Sequence, residues 1–517
     1  MFKNVKEGTE SMSENQNNQT ISSVLKSGDD LQAAIVVPEG ESFTYAELRN
    51  GVFSLSEKLA DLGFRKGDRI AIVMPNGVEN VATFLAVSEI ATAAPLNPSY
   101  KLEEFQFYYD DTKAKALITL PLMDDSPAVQ ALLDGMMYLT FETINGVFDL
   151  ELRRDSELDG SPQTSDPDVA LVLHTSGTTS RPKRVPLTHH NLLTSMENIV
   201  ETYNLSKGDV SLCVMPLFHV HGLIASTLAA LQSGGTVIVP PRFNPLGFWP
   251  LVEKFNVTWF SAVPSMHQAL LARSKNNPPD KSSSLRFIRS CSAALPPNTM
   301  IDLEKQFGVP VLEAYGMTEA AHQMSSNPLP PSDRVPGSVG PGTGVEIAIM
   351  DEAGTLLQIG EKGEVVIRGK NVTHGYEENP TANQESFTNG WFRTGDEGII
   401  DSKGYLSLTG RIKELINRSG EKISPREIDE VLLDHPEVIE AVAFAIPHST
   451  HGEEPAAVVV LSNPIPPSEL VDYCRTRLAD FKCPKSIRVV NEIPKGATGK
   501  LQRRFVAEAF LQMENPS

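Results

Sequence analysis

The sequence predicts an α/β protein: a large N-terminal domain of parallel-type sheets covered by helices, with a small β-rich unit, followed by a small α+β C-terminal domain. Three observations predict this fold class. Short apolar runs alternate with segments of helical length from residue 68 to about residue 311. Glycines and short alternating runs then dominate residues 337–410. Helix and strand patterns resume beyond residue 411.

The first region contains the strand candidates of the large domain, which are residues 70–73, 169–174, 210–215, 236–239, 257–262 and 286–290. Most of them are continuous apolar runs without clean alternation. Strands buried on both faces have this pattern, because helices cover each side of a parallel sheet.

The second region carries runs such as VEIAIMDEAG and GEVVIRG, which are typical of antiparallel strands joined by tight turns. The third region has helix patterns at 424–433 and 467–478 and apolar runs at 438–446 and 456–461. These patterns predict one domain over residues 1–410, with a β-rich unit at about 337–410, and a second domain over residues 411–517.

The composition excludes several classes of protein. The 517 residues include 65 acidic against 45 Lys and Arg residues, and a formal charge of −20 opposes binding to nucleic acid or to anionic membranes. No uninterrupted apolar run reaches the roughly 18 residues of a membrane-spanning helix. Four widely spaced cysteines without zinc-ligand spacing predict reduced thiols. A polar N-terminal stretch predicts a loose tail and a cytoplasmic protein, whereas nothing in the sequence indicates an oligomeric state.

The run HTSGTTSRPKRVPLTHHN at residues 174–191 is the strongest local signal. A buried-type strand leads into small, hydroxyl and glycine residues followed by Lys183. Such a loop can wrap phosphate oxygens, because the main chain approaches closely while hydroxyls and amides donate hydrogen bonds. A Ser/Thr-rich surface turn explains the composition of the loop equally well.

A second glycine-containing loop, KGATGK, occupies residues 495–500. Neither loop fits the GxxxxGK[ST] pattern, since Leu501 stands where the second loop would need Ser or Thr. A P-loop NTPase is therefore disfavoured. Taken alone, the second loop is better explained as an exposed turn with two solvated lysines.

Together the motifs resemble those of the acyl-adenylate-forming superfamily, which includes acyl-CoA synthetases, adenylation domains of peptide synthetases and firefly-type luciferases. The resemblance covers nearly the whole chain in order. It rests on TSGTTSRPK (175–183), PLFHVHG (216–222), YGMTE (315–319), GEVVIRG (363–369), WFRTGD (391–396), GRIKELI (410–416) and PKGATGK (494–500).

The resemblance implies that a carboxylate attacks the α-phosphate of ATP, that pyrophosphate leaves, and that the acyl group then passes to the thiol of CoA. It implies Mg2+ bound at Glu319, the α-phosphate contacted by Thr318, and Lys500 bridging the carboxylate and that phosphate. The catalytic set implied is Lys500, Thr318 and His219. The nucleotide-binding set implied is Thr175, Ser176, Gly177, Thr178, Thr179, Lys183, Ala293, Ala294, Glu313, Ala314, Tyr315, Thr318, Asp396, Arg411 and Lys500.

Within that set, Thr175 to Thr179 and Lys183 would hold the β- and γ-phosphates, while Asp396 and Arg411 would face the ribose. A transition state formed between two anions needs such cations and donors. Singly, the acids could equally be capping or turn residues and Arg411 a solvated surface cation.

The resemblance also implies that the C-terminal domain is mobile and rotates about Lys413 between the two half-reactions, which withdraws Lys500 and opens a tunnel for CoA. Gly420 and Lys422 would border that tunnel. A helix-cap glycine and a surface lysine explain these two residues equally well.

The chain departs from the family pattern at Ser180 and Arg184, where glycines are usual. If residue 184 needs a positive φ, a bulky side chain there costs about 1 kcal/mol and alters the loop. Alternatively, the Arg184 charge adds to phosphate binding.

The acyl pocket is expected to be short and polar. CSAAL and AYGMTE stand where glycines often open space, so Ser292 and Ala314 add atoms. Ser292 and the imidazoles of His219, His221 and His322 favour an acid with a second polar end, because unpaired buried polar groups cost about 1–3 kcal/mol each. The segments SRPK, RSCSAAL and AYGMTEAAHQMSSNPLP are most similar to the oxalate–CoA ligase branch of the family, which implies oxalate bound by His219, Ser292 and His322.

Three alternatives remain open from the sequence. The chain could be a CoA ligase for a medium-chain or aromatic acid, with Phe218 and Met266 lining the pocket. A luciferase-like oxygenase is less favoured, because only the shared adenylation motifs support it. A non-catalytic nucleotide-binding protein that lost activity through Arg184 is opposed by the presence of Lys500, Glu319 and Asp396.

Overall fold

The structure is a computed structural model, and it describes residues 19–144, 147–158, 168–175, 182–274, 284–495 and 501–514. The loose tail predicted at the start of the chain lies outside these ranges, as do Ser176, Gly177, Thr178, Thr179 and Lys500.

The strands of the described ranges follow in chain order. They are β1 (Ala33–Val36), β2 (Ser42–Thr44), β3 (Arg69–Ile72), β4 (Thr92–Pro95), β5 (Ala116–Thr119), β6 (Met137–Ile144), β7 (Val147–Arg154), β8 (Val169–Thr175), β9 (Lys183–Thr188), β10 (Val210–Cys213), β11 (Thr236–Ile238), β12 (Trp259–Ala262), β13 (Phe287–Ser290), β14 (Val311–Met317), β15 (His322–Ser326), β16 (Glu346–Met350), β17 (Lys362–Arg368), β18 (Phe387–Thr388), β19 (Trp391–Ile400), β20 (Leu406–Arg411), β21 (Ile416–Arg418), β22 (Glu421–Ile423), β23 (Val438–His448), β24 (Gly452–Leu461) and β25 (Ser486–Val489).

The α-helices of the same ranges connect and cover these strands. They are α1 (Tyr45–Asp61), α2 (Val78–Ile90), α3 (Leu102–Thr112), α4 (Pro127–Gln130), α5 (His189–Tyr203), α6 (Ala229–Gln232), α7 (Phe248–Lys254), α8 (Pro264–Ser274), α9 (Pro297–Phe307), α10 (Pro380–Ser386), α11 (Pro425–Leu433), α12 (Pro467–Arg475) and α13 (Arg503–Glu514). A π-helix, His221–Leu228, runs directly into α6.

Two large sheets form the first part of the chain, and each has a parallel centre with antiparallel edges. One has the strand order β7-β6-β5-β3-β4-β8-β9, and the other has the order β15-β14-β13-β12-β10-β11-β1-β2. Every residue of β3, β12 and β13 is buried, as expected for strands covered on both faces. The predicted α/β fold class is therefore confirmed.

A smaller antiparallel sheet follows, in which β17 and β19 are central and β20 pairs with β19. A 3₁₀ turn, Ile412–Glu414, then leads into the last sheet, built from β21 to β25 and packed against α11 to α13. The domain boundary at residue 410 stays a prediction.

In the ranges that the structure describes, none of the helices has the length and apolar character needed to cross a bilayer. The four cysteines, Cys213, Cys291, Cys474 and Cys483, are buried free thiols, as the sequence predicted.

Candidate active site

The candidate site lies beyond the carboxyl ends of strands from both large sheets, where α/β proteins generally bind ligands. Residues 214–222 follow β10, residues 291–294 follow β13, and a 3₁₀ turn, Thr318–Ala320, joins β14 to β15. The other sheet contributes the end of β8 and the start of β9, where Thr175 pairs with Lys183. The predicted site segments therefore meet at one edge of the fold.

Lys183 is the described cation of the predicted phosphate loop. Its Nζ lies 4.3 Å from the centre of the Tyr376 ring. Burial lowers the pKa of Lys183, while the nearby Glu319 opposes that shift and Lys413 adds to it. Lys183 and Lys413, the predicted hinge residue, are thus close enough to repel, and an anion between them would relieve this repulsion.

Glu319 forms the candidate metal corner beside this lysine. It is buried, and its Oε1 accepts a hydrogen bond of 2.8 Å from the Tyr376 hydroxyl. Burial raises the pKa of the Glu319 carboxyl, so a cation near it would stabilise the charged form. Mg2+ prefers carboxylate oxygens together with substrate phosphates, and one buried carboxylate facing the predicted phosphate loop fits that preference.

The glycine of the YGMTE segment, Gly316, is required by the close approach of two strands. A Cβ on Gly316 would lie 1.9 Å from the His322 carbonyl oxygen on the paired strand. Only glycine therefore allows β14 and β15 to approach this closely, and that approach places Thr318 and Glu319 in the tight connection between the two strands.

The sequence suggested that Arg184 either strains the phosphate loop or binds phosphate, and the structure shows a different environment. It lies inside the extended strand β9, so no positive φ strains it, and it is buried with 7% of its surface exposed. Its guanidinium bonds to Asp111 and forms ion pairs with Glu377 at 3.4 Å and Glu378 at 2.5 Å. Because adjacent strand residues face opposite sides, Arg184 lies away from Lys183. Both the strained-loop and the phosphate-binding interpretations are wrong for this residue.

The candidate ribose corner comes from the antiparallel sheet. Asp396 on β19 is opposite Arg411 on β20, and the Arg411 Nε lies 2.9 Å from Asp396 Oδ1. The Tyr315 hydroxyl donates to Asp396 Oδ2 at 2.5 Å. Asp396 raises the pKa of Arg411. Tyr315 and Arg411 thus hold the Asp396 carboxylate in place.

The candidate adenine wall includes Ala293 and Ala294, which are exposed, and Ala314, which is buried. Glu313 lies behind that wall, where its Oε1 accepts the Leu295 N–H at 2.8 Å. Burial raises the pKa of Glu313 to about 7, against a lowering effect of Arg426 on α11. Glu313 is therefore better placed to support residues 291–295 than to touch a nucleotide directly.

The candidate acyl pocket brings Ser292, His221 and His322 together. His221 Nδ1 and Ser292 Oγ are 2.9 Å apart, and the rings of His221 and His322 are 5.2 Å apart. His219, which is half-buried, uses its Nδ1 to accept the His221 N–H at 3.2 Å. The segments predicted to converge do converge, and His221 rather than His219 is the hydrogen-bond partner of Ser292.

Sequence reasoning missed Arg289, which is fully buried on β13. Its guanidinium contacts Ser261 and His322. The signal was present in the run RFIRSCS, because a charge inside a strand buried on both faces must have a specific environment. Two pocket residues also have unusual backbones, since φ is +74° at Ser292 and +122° at His322. Such strain concentrates at functional sites.

The residues predicted for the hinge and the CoA path lie on the surface of the C-terminal part of the chain. Lys413, Gly420 and Lys422 are exposed, and Gly420 has a φ of +94°, which glycine adopts readily. Lys495 and Leu501 form an antiparallel bridge, so the ends of the segment containing Lys500 lie side by side.

Arg503, just beyond that segment, pairs with two acids of the C-terminal part. Its Nε lies 3.1 Å from Glu414 beside the hinge, and its Nη2 lies 2.5 Å from Asp429 on α11. These ion pairs join the start of α13 to Glu414, next to the predicted hinge residue, and to α11.

Comparisons with known proteins agree with this geometry. The family of AMP-binding enzymes matches residues 26–377, and the AMP-binding enzyme C-terminal domain matches residues 427–500. An oxalate–CoA ligase of Arabidopsis thaliana is 47% identical over 91% of this chain and 94% of its own length. An oxalate–CoA ligase of Saccharomyces cerevisiae is 44% identical over 93% of this chain and 95% of its own length.

Among solved structures, ATP-bound MatB of Rhodopseudomonas palustris has a TM-score of 0.84 at 29% identity, covering 96% of this chain and 99% of MatB. The apo structure of MatB has a TM-score of 0.75 at the same coverage. The arrangement of this chain is thus nearer to the ATP-bound structure. The chain belongs to the AMP-binding enzyme family, as an ATP-dependent acyl-CoA synthetase.

Proposed function

We propose that this protein is an oxalate–CoA ligase that converts oxalate, ATP and CoA to oxalyl-CoA, AMP and pyrophosphate through an acyl-adenylate. One observation carries the choice of acid: Ser292, His221 and His322 form a compact polar cluster at the acyl end of the site. An aliphatic or aromatic tail offers this cluster no hydrogen-bond acceptor, whereas a second carboxylate accepts hydrogen bonds. The names of the two relatives at 47% and 44% identity support the same acid.

In the first half-reaction, a carboxylate oxygen of oxalate forms a bond to the α-phosphorus while the bond to the pyrophosphate oxygen breaks. The proposal assigns the β- and γ-phosphates to Thr175, Lys183 and the loop between them. Thr318 and Lys500 stabilise charge on the α-phosphate and the attacking oxygen, and His219 orients the acid. Mg2+ held by Glu319 would neutralise phosphate charge when bound.

In the second half-reaction, the CoA sulfur attacks the acyl carbon, the bond to AMP breaks and the thiol proton passes to solvent. The proposal places the required domain rotation at Lys413, with Gly420 and Lys422 bordering the CoA path. The cytoplasmic location predicted from the sequence remains part of the proposal.

The test is release of AMP and pyrophosphate with Mg-ATP and CoA across oxalate, malonate, acetate, octanoate and 4-coumarate, with the thioester confirmed by mass. A preference for oxalate is the expected result. A preference for octanoate or coumarate would contradict the choice of acid and favour a pocket lined by Phe218 and Met266. No turnover with any acid, despite ATP binding, would contradict the ligase itself.

A further inference from the structure

Arg289 is a buried cation whose hydrogen-bond partners are all neutral. Its Nε donates to the Tyr203 hydroxyl at 2.8 Å and its Nη1 to Ser261 Oγ at 2.8 Å. Its Nη2 donates to Gln323 Oε1 at 2.9 Å and to His322 Nδ1 at 3.3 Å. A guanidinium stays charged in proteins, and a charge buried without a counter-ion is costly. The fold therefore holds one positive charge that its own hydrogen-bond partners do not neutralise.

Two series of hydrogen bonds, which we call arms, lead away from Arg289. The first runs through Ser261 and His221 to Ser292, and the direction of donation along it is fixed. Ser261 is fully buried and its oxygen accepts from Arg289, a group that only donates. Among the described residues, Arg289 and His221 are the side chains that bond to this hydroxyl, so its proton has His221 Nε2, 2.6 Å away, as acceptor. Neutral His221 then carries its proton on Nδ1 and donates to Ser292 Oγ at 2.9 Å. The hydroxyl proton of half-buried Ser292 is consequently directed away from His221.

The second arm is shorter and ends in the same region. Because His322 Nδ1 accepts from Arg289, the neutral imidazole of His322 carries its proton on Nε2. Each group in these arms donates away from the guanidinium, and hydrogen bonds aligned in this way strengthen one another. The first arm ends at the Ser292 hydroxyl, and the second fixes the tautomer of His322, whose ring lies 5.2 Å from that of His221.

We infer that Arg289 determines acid specificity from outside the pocket: its charge orients the Ser292 hydroxyl as a donor to the distal carboxylate and fixes the tautomer of the neighbouring His322. Arg289 is a positioning residue, since it acts through other side chains. A carboxylate only accepts hydrogen bonds and supplies the missing negative charge. This inference rests on the proposed oxalate activity and adds to it the residue that makes a neutral acyl tail unfavourable.

The test compares kcat/KM for oxalate and for acetate, measured by pyrophosphate release, in wild type, Arg289→Met and Ser261→Ala. Arg289→Met is expected to lower the oxalate value about 100-fold and the acetate value less than about threefold. Ser261→Ala cuts one arm and is expected to lower the oxalate-to-acetate ratio about tenfold. Arg286→Met is the matched control, since it removes an arginine near the start of the same strand that pairs with Asp209.

Each outcome separates the inference from the proposed function. Wild type without a preference for oxalate contradicts the proposed function, and the inference with it. If wild type prefers oxalate but both variants keep the wild-type ratio, Arg289 has a structural role only and the inference is wrong. If Arg289→Met does not fold, Ser261→Ala decides alone, because it keeps the guanidinium. In the double variant Arg289→Met/Ser292→Ala, losses that multiply in full would also contradict a shared arm.

Discussion

Arg184 and Arg289 are both buried arginines on strands near the site, yet their surroundings are opposite. Arg184 has Asp111, Glu377 and Glu378 within ion-pair distance. Arg289 has a phenol, a serine, a histidine and an amide. The first charge is neutralised by carboxylates of the chain, whereas the hydrogen-bond partners of the second, among the described residues, are neutral dipoles.

The difference separates two uses of a buried cation. The Arg184 cluster joins the end of α3, strand β9 and the segment after Tyr376, so it holds parts of the scaffold together. Several of its members have a second partner, such as Arg69 for Glu377 and Lys113 for Glu378, so the cluster is an ion-pair network rather than a single pair. The Arg289 environment orients the Ser292 hydroxyl as the donor that we propose for the acid, and its effect should show in acid selectivity rather than in stability.

The largest expected effect is on adenylate formation, and it should be the same for different acids. Lys500→Ala should lower adenylate formation about 1,000-fold for oxalate and malonate equally, because the lysine acts on the shared α-phosphate. Thioester formation from supplied oxalyl-adenylate should stay within about threefold of wild type. The exposed Lys403→Ala serves as control. Equal loss in both half-reactions would refute the role of Lys500.

The next effect concerns the neutralised arginine. Arg184→Met should lower the free energy of unfolding by about 2 kcal/mol, because it removes a buried guanidinium shared by three carboxylates, while Arg69 still pairs with Glu377 and Lys113 with Glu378. The oxalate-to-acetate ratio should not change. Lys113→Met, which removes only the exposed pair with Glu378 at 2.6 Å, should cost less than about 1 kcal/mol. A fall in the oxalate-to-acetate ratio for Arg184→Met would mean that Arg184, like Arg289, affects acid selectivity, which would contradict the distinction between them.

A buried carboxyl provides a third case, Glu313, whose Oε2 has no hydrogen-bond partner among the described residues. Its pKa is raised from 4.5 to about 7 by burial, so the folded state favours the protonated form. The stability from that preference is fully present below pH 4.5 and is lost as the pH rises through 7. Chemical denaturation should therefore show Glu313→Gln to be about 3 kcal/mol more stable relative to wild type at pH 8.5 than at pH 4.5. A pH-independent difference would show that the carboxyl does not titrate in this range.

The smallest effect concerns the donor end of the Arg289 arm. Ser292 has a φ of +74°, which favours glycine, so Ser292→Gly should be about 1 kcal/mol more stable than Ser292→Ala. Both variants lose the hydroxyl and should lose oxalate preference alike, while the glycine variant should accept longer acids. Unchanged acid profiles in both variants would remove Ser292 from the pocket.

The parallel centres of the large sheets could be predicted because their strands are apolar on both faces. Each of the six strand candidates overlaps an observed strand; the candidate at residues 70–73, for example, overlaps Arg69–Ile72. The hairpin of β6 and β7 was not predicted. Its outer strand has only some buried positions, and edge strands of this kind lack a strong apolar signal.

Site residues that lie in short sequence motifs could be predicted. Roles that depend on the side of a strand on which a side chain lies could not. Thr175, Lys183, Thr318 and Glu319 lie in motifs, and the structure places the described members together. The opposite orientations of Lys183 and Arg184 depend on the pairing of β8 with β9. The role inferred for Arg289 depends on partners from three other segments, which single-sequence reasoning could not bring together.

The backbone at Ser292 also determines how easily the acid preference can be lost. A side chain held at +74° is retained against its own conformational preference. A change to glycine at this position would relax the turn and remove the hydroxyl in one step. Selectivity would then be lost before the fold or the nucleotide chemistry, and a broader acyl-CoA synthetase would remain.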